Sequence, residues 1–175
     1  MSLIPNSNIR VDDFTAPDTG LTDFVFFLTH IHTDHLKGLS NTWNLGRIYT
    51  SEVTARLLID RWPNLKLVVT PLAMLEEHTI FLDPKQEKES MTVTLFDSNH
   101  CPGSTMFLFK GEFGSVLHTG DFRYSSTLFK NYPQLYPANK RNEEEANISV
   151  PIDHLIVDST FANLDIEFPS QEEAQ

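Results

Sequence analysis

Four side chains able to bind a metal ion stand within the six residues His30-Ile31-His32-Thr33-Asp34-His35. Imidazole nitrogens with a carboxylate oxygen suit zinc or a similar borderline ion, and the single cysteine, Cys101, argues against a thiolate-rich structural site. The apolar run Phe24 to Leu28 leads directly into the motif. If the chain stays extended through it, His30 and His32 project to the same side and share one ion. Asp34 and His35, past a turn, then face a second. Such a centre is expected to keep an open position for water.

The remaining ligands must come from distant segments that end strands. His100 follows the run Met91 to Phe96, and Asp121 follows Ser115 to Thr119. A lone His or Asp in a loop commonly serves as a cap, so the His30 to His35 cluster is what gives these two weight. A carboxylate placed like Asp121 can bridge two ions about 4 Å apart, the spacing that activates water in phosphoryl hydrolysis. Asp97, close to His100, is expected to steady a metal-bound imidazole. Ser104 and Thr105 offer hydroxyls or amides to a phosphate, although Gly103-Ser104 reads equally as an ordinary turn. Cys101 is expected to be a small buried filler, His118 a strand residue away from the site, and Trp43 and Trp62 packing residues.

Short β-rich runs must position these groups: Phe24 to Leu28, Leu65 to Val69, Met91 to Phe96, Thr105 to Phe109, Ser115 to Thr119 and Leu155 to Val157. Gly111 to Gly114 can turn Thr105–Phe109 back onto Ser115–Thr119. Glu52 to Arg61 carries Val53, Leu57 and Leu58 at helical spacing, with Ser51 as N-cap and Pro63 beyond the end. Pro84 to Ser90 reads as a charged turn, Asn131 to Asn147 as a solvated loop and Pro169 to Gln175 as a fraying tail.

Composition sets the frame. With 40% apolar residues the 175-residue chain can fold, and its length suits a single core. Thirteen Lys and Arg against 24 Asp and Glu give a net charge of −11, the wrong sign for gripping a phosphate backbone through the overall field. One cysteine excludes an intrachain disulfide, and no run suggests a signal peptide or membrane span.

The motif set resembles the metallo-β-lactamase-fold nucleic-acid hydrolases of the β-CASP group, and within them the DNA-repair nucleases. Their HxHxDH motif matches His30 to His35, their isolated His matches His100 and their bridging Asp matches Asp121. Leu3-Ile4-Pro5, Val11-Asp12, Gly38 to Trp43, Thr54-Ala55 and nearly all of Met91 to Tyr124 look like the 5′-exonuclease branch, and the similarity runs from about Leu3 to Ser170. The resemblance implies an α/β fold: the N-terminal part of the metallo-β-lactamase αββα sandwich, without the β-CASP insertion and the C-terminal completion. Residues 1–164 would form the metallo-β-lactamase-like domain, and 165–175 the start of the segment leading to the insertion.

By the same resemblance His30, His32, His100 and Asp121 hold one ion while Asp34, His35 and Asp121 contribute to another. Asp34, His35 and Asp121 take the catalytic roles. Asp12 is an orienting group and Asp158 the Asp ending the last strand before the insertion. One zinc ion is expected in this chain, a further ligand for the second lying past its end. The implied reaction is 5′-to-3′ exonucleolytic trimming of DNA, single-stranded or at 5′ ends, in interstrand-crosslink repair and at telomere ends in the nucleus. The family's telomere-protein docking segment is not matched. Two other readings keep the same residues: a small-molecule hydrolase of the same fold acting on a thioester, lactone or lactam, and an inactive truncated form binding one ion.

Overall fold

The computed structural model describes residues 2–15, 24–82, 90–135, 151–163, 165 and 169. The turn expected at Pro84–Ser90 lies outside these except for Ser90, the loop Asn131–Asn147 except for its first five residues, and the tail except for Pro169.

Two sheets face each other. The first contains β1 (Ser2–Leu3), β2 (Ile9–Val11), β3 (Val25–Phe27), β4 (Ile48–Ser51) and β5 (Val69–Leu72) in that order. β1 runs antiparallel to β2 and the others are parallel. The second sheet has β6 (Glu77–Phe81), β7 (Ser90–Asp97), β8 (Thr105–Gly111), β9 (Gly114–His118) and β10 (His154–Ile156) in the order β10-β9-β8-β7-β6. Here only β10 joins its neighbour in parallel. The expected hairpin is present, with Gly111 paired to Gly114.

Strand alternation sorts the core into layers. Val25 and Phe27 point between the sheets, where they meet Phe107 and Phe109. Phe26 and Leu28 point the other way, onto Trp43, Ala55 and Leu58. On the far side, Phe96, Met106 and Leu108 pack against Tyr132 and the short α2 (Ser126–Phe129). Helix, sheet, sheet, helix is the order of a partial αββα metallo-β-lactamase fold.

Helix α1 (Glu52–Arg61) has the expected bounds, and the Ser51 side chain accepts the Thr54 N–H as its N-cap. Its buried face differs from expectation: Thr54, Ala55 and Leu58 are inside, whereas Val53 and Leu57 stay exposed. The Thr54 hydroxyl is drawn inward because it donates to the Gly103 carbonyl at 2.9 Å. The strand expected at Leu65–Val69 is also corrected. Pro63 opens a 3-10 turn, Pro63–Leu67, and the strand begins only at Val69. Leu65 is fully buried while Leu67 is 85% exposed, a difference that the apolar run alone conceals.

Candidate metal centre

His30 and His32 lie beyond the end of β3, so strand pleat does not align them as the sequence suggests. A buried carboxylate takes over from the ladder. Asp12, at φ +55°, accepts the Thr29 N–H through Oδ1 at 2.8 Å and the Thr29 hydroxyl through Oδ2 at 2.7 Å. The Thr29 oxygen, its own proton given to Asp12, accepts Nδ1–H of His30 at 2.9 Å. This chain of bonds fixes the His30 tautomer and leaves Nε2 with its lone pair aimed into the cluster. Burial, helped by neighbouring imidazoles, lowers the His30 pKa to about 4, so the ring is neutral near pH 7 and able to ligate.

His100 arrives on a loop fastened from both sides. The Asn99 N–H donates to Asp97 Oδ1 at 2.7 Å, and the Gly103 carbonyl accepts hydroxyls from Ser51 and Thr54. A Cβ on Gly103 would lie 2.8 Å from Val53, and its φ of +85° disfavours any other residue, so this close approach needs glycine. Asp121 is set by a second glycine turn. Gly120, at φ +53°, passes so close to Thr29 that a Cβ would meet its Cγ2 at 2.7 Å, and its N–H donates to Nδ1 of His118 at 3.0 Å.

Four donor atoms, from His30, His32, His100 and Asp121, lie within 4.8 Å of one another. Nε2 of His30 and Nδ1 of His32 are 3.0 Å apart, and Nε2 of His100 is 3.2 Å from Nδ1 of His32. Asp121 Oδ2 is 3.4 Å from His100 and 3.8 Å from His30. A tetrahedral zinc site with bonds of 2.0–2.1 Å has edges of about 3.3 Å. The four separations of 3.0 to 3.8 Å bracket that value and all four donors fall within 4.8 Å, so the set can close on such an ion.

The other carboxylate oxygen of Asp121 faces a smaller group. Oδ1 is 3.2 Å from Nε2 of His35, which is 3.6 Å from Oδ2 of Asp34. His35 is held by its Nδ1–H, which donates to Asp12 Oδ2 at 2.8 Å. Burial alone would depress the His35 pKa. The Asp12 hydrogen bond and the charges of Asp12, Asp121 and Asp34 outweigh it and hold the pKa above its ordinary value. Asp12 thus orients one histidine directly and another through Thr29.

Other expected residues lie further out. Asp97 is exposed and shapes the turn before His100 through a backbone amide; it makes no hydrogen bond to an imidazole among the described residues. Asp158 accepts the Thr160 N–H and hydroxyl through Oδ1, while its own N–H donates to Thr119 beside the Asp121 turn. Ser104 and Thr105 are buried, their hydroxyls bonded to Ser98 and to the Phe96 and Met106 carbonyls, so neither is open to a phosphate. Cys101 is only half-buried, and that burial raises its thiol pKa. His118 was missed by the sequence reasoning. It is buried, lines the cavity beside the cluster and supports the Asp121 turn; burial lowers its pKa to about 4. Its place two residues before Gly120, in His118-Thr119-Gly120-Asp121, was the available signal.

A cavity of about 890 Å³ opens on this cluster, with His35, His100, Asp121, Arg123, Tyr124 and Asp158 among its walls. Among the described residues, no helix is long and apolar enough to cross a membrane.

A scan against family profiles finds no match. The chain is 41% identical over 172 residues to the 5′ exonuclease Apollo of Rattus norvegicus, covering 98% of this chain and 29% of that protein. It is 37% identical over 149 residues to the DNA cross-link repair protein SNM1 of Arabidopsis thaliana, covering 85% of this chain and 26% of that one. A crystal structure of a protein of unknown function from Enterococcus faecalis V583 superposes with a TM-score of 0.53 at 14% identity, covering 89% of this chain and 36% of the other, and so shares the fold. Across nearly its whole length the chain is a homologue of the Apollo and SNM1 β-CASP nucleases, and it spans about 29% of the length of the rat and mouse Apollo proteins.

Proposed function

We propose that this chain carries the metal-binding part of a DNA nuclease that trims 5′ ends in the 5′-to-3′ direction. The observation that carries the reading is the convergence of three imidazoles and one carboxylate within 4.8 Å in a homologue of a 5′ exonuclease. His30, His32, His100 and Asp121 hold one ion, with zinc favoured by the donor set. Asp34, His35 and Asp121 contribute to a second position. When bound, zinc supplies Lewis-acid polarisation of a phosphoryl oxygen and makes a water acidic enough to react near neutral pH.

The chain's own residues prepare that chemistry. Asp121 spans both positions by directing Oδ2 to one and Oδ1 to the other. Asp12 fixes the ring orientation of His35 and, through Thr29, that of His30. Asp34, its side chain 78% exposed, lines the cavity and lies 3.6 Å from Nε2 of His35. Asp97 shapes the His100 loop, and Asp158 lines the cavity at the end of β10. Residues 1–164 serve as the metallo-β-lactamase-like domain, with 165–175 leading out of it. Interstrand-crosslink repair, telomere-end processing and a nuclear location follow from the kinship with Apollo as parts of the same proposal.

One observation favours a second reading, a form that holds a single ion without turnover. The His35 group has three donor residues, one of them largely in solvent, against four for the other group. Digestion of a 5′-phosphorylated single-stranded DNA, beside metal analysis of the purified chain, separates the two. Trimming from the 5′ end by the wild type and none by His32→Ala is the expected result. One bound ion with no metal-dependent digestion would leave the single-ion form.

A further inference from the structure

We propose that Tyr124 is a stacking platform for a nucleobase next to the phosphate held at the metal centre; the inference rests on the nucleic-acid reading above. Tyr124 lines the same cavity as His100 and Asp121, yet 67% of it is exposed. A single exposed aromatic is unremarkable in itself. This one is held in place from behind. Its ring centroid is 5.3 Å from that of Phe129, and Phe129 is 5.8 Å from Tyr132, which is only 3% exposed. Three rings therefore run from the core to the cavity rim, and the outermost is largely in solvent.

The backbone beneath the ring is also fixed relative to the ligands. The Arg123 N–H donates to the Ser98 carbonyl at 2.8 Å, and the Arg123 carbonyl accepts from Asn99 Nδ2 at 3.3 Å. Both partners belong to the loop that carries His100, so the backbone immediately before Tyr124 is tied to the segment that supplies one of the ligands. Arg123 is the one Arg or Lys in the described cavity wall, adjacent in sequence to Tyr124, and its guanidinium donates one hydrogen bond to the Pro169 carbonyl at 2.5 Å. A cation followed by an aromatic face suits a ligand that alternates phosphate and flat base. In a chain with a net charge of −11, such local contacts must supply the grip that the overall field denies.

The test uses the full chain loaded with zinc and a matched set of 5′-phosphorylated oligonucleotides, each with one abasic residue at a different position near the 5′ end. Binding is followed separately with a 2-aminopurine-bearing strand, whose fluorescence reports stacking without cleavage. The wild type is expected to show a KM about tenfold higher when one particular base is missing, with kcat little changed. Tyr124→Ala should lose that discrimination and Tyr124→Trp keep it. A Tyr124→Ala protein that weakens base-bearing and abasic strands equally, or neither, overturns the platform while DNA cleavage stands. A wild type that neither cleaves nor binds any strand overturns the nucleic-acid reading and the platform with it.

Discussion

His30, just past β3, is fully buried, whereas the side chain of Asp34, four residues on, is 78% exposed on a 3-10 turn. The two sides of the cluster share Asp121 and differ in almost everything else. On the His30 side, three imidazoles from two segments converge, with separations of 3.0 and 3.2 Å, and His30 among them is fixed through Thr29 by Asp12. On the His35 side, one anchored imidazole faces two carboxylates of unequal exposure. The first side is the better preorganised, its four donors already within 4.8 Å of one another, so only small side-chain shifts separate them from an ion. The second has one fixed donor and one that must give up solvent freedom. The contrast predicts sequential filling, the His30 side first.

The largest effect that could break this comparison is loss of a donor on the preorganised side. His100→Ala should abolish stoichiometric zinc binding at both positions, because the first ion no longer holds Asp121 in place; titration calorimetry against the wild type checks it. Asp12→Asn sharpens the comparison. An amide offers one acceptor oxygen where the carboxylate offers two, so the Thr29 N–H bond to Oδ1 and the Thr29 hydroxyl and His35 bonds to Oδ2 cannot all persist. Metal affinity should fall by about 10–100-fold. The loss should be greater at the weaker position, which competitive chelation will read.

Gly120→Ala comes next. Its Cβ would meet Thr29 at 2.7 Å with φ at +53°, so chemical denaturation should record a loss of about 1–3 kcal/mol. A smaller, pH-dependent effect comes from His118, whose folded pKa is lowered to about 4 by burial from an ordinary value of 6.5. The unfolded chain takes up that proton near pH 6.5 and the folded chain does not until about pH 4, so stability of the metal-free protein must fall as pH drops through this window. Replacement by Gln should flatten the slope in thermal melts. Asp97→Asn should be nearly silent, within about 0.5 kcal/mol, since an amide oxygen also accepts the Asn99 N–H.

Much of this site could be read from the sequence because metal ligation demands particular residue types at short spacing. His30, His32, His100 and Asp121 were all recognisable, and the structure brings them together. What supports them was harder to read. Thr29 acts through a hydroxyl lying between Asp12 and His30, and Ser51 and Thr54 reach the His100 loop across about 50 residues of sequence, through contacts that no local pattern records. The strands with alternating or continuous apolar residues, Met91 to Phe96 and Thr105 to Phe109, were legible for the same reason that helix α1 was: periodicity and a cap. Leu65 to Val69 misled because an apolar run of that length serves a 3-10 turn as well as a strand, and Pro63 decides between them. The short strands β4 and β6 carry Thr, Ser, Glu and His among their apolar residues and gave no comparable signal.

The central claim is that three imidazoles and one carboxylate oxygen hold a tetrahedral ion. X-ray absorption at the zinc edge on the chain loaded with one equivalent tests it most directly. The account predicts nitrogen and oxygen neighbours at about 2.0–2.1 Å with the multiple scattering of three imidazoles, falling to two in His32→Ala. A sulfur neighbour at about 2.3 Å, or a spectrum unchanged by His32→Ala, would contradict it.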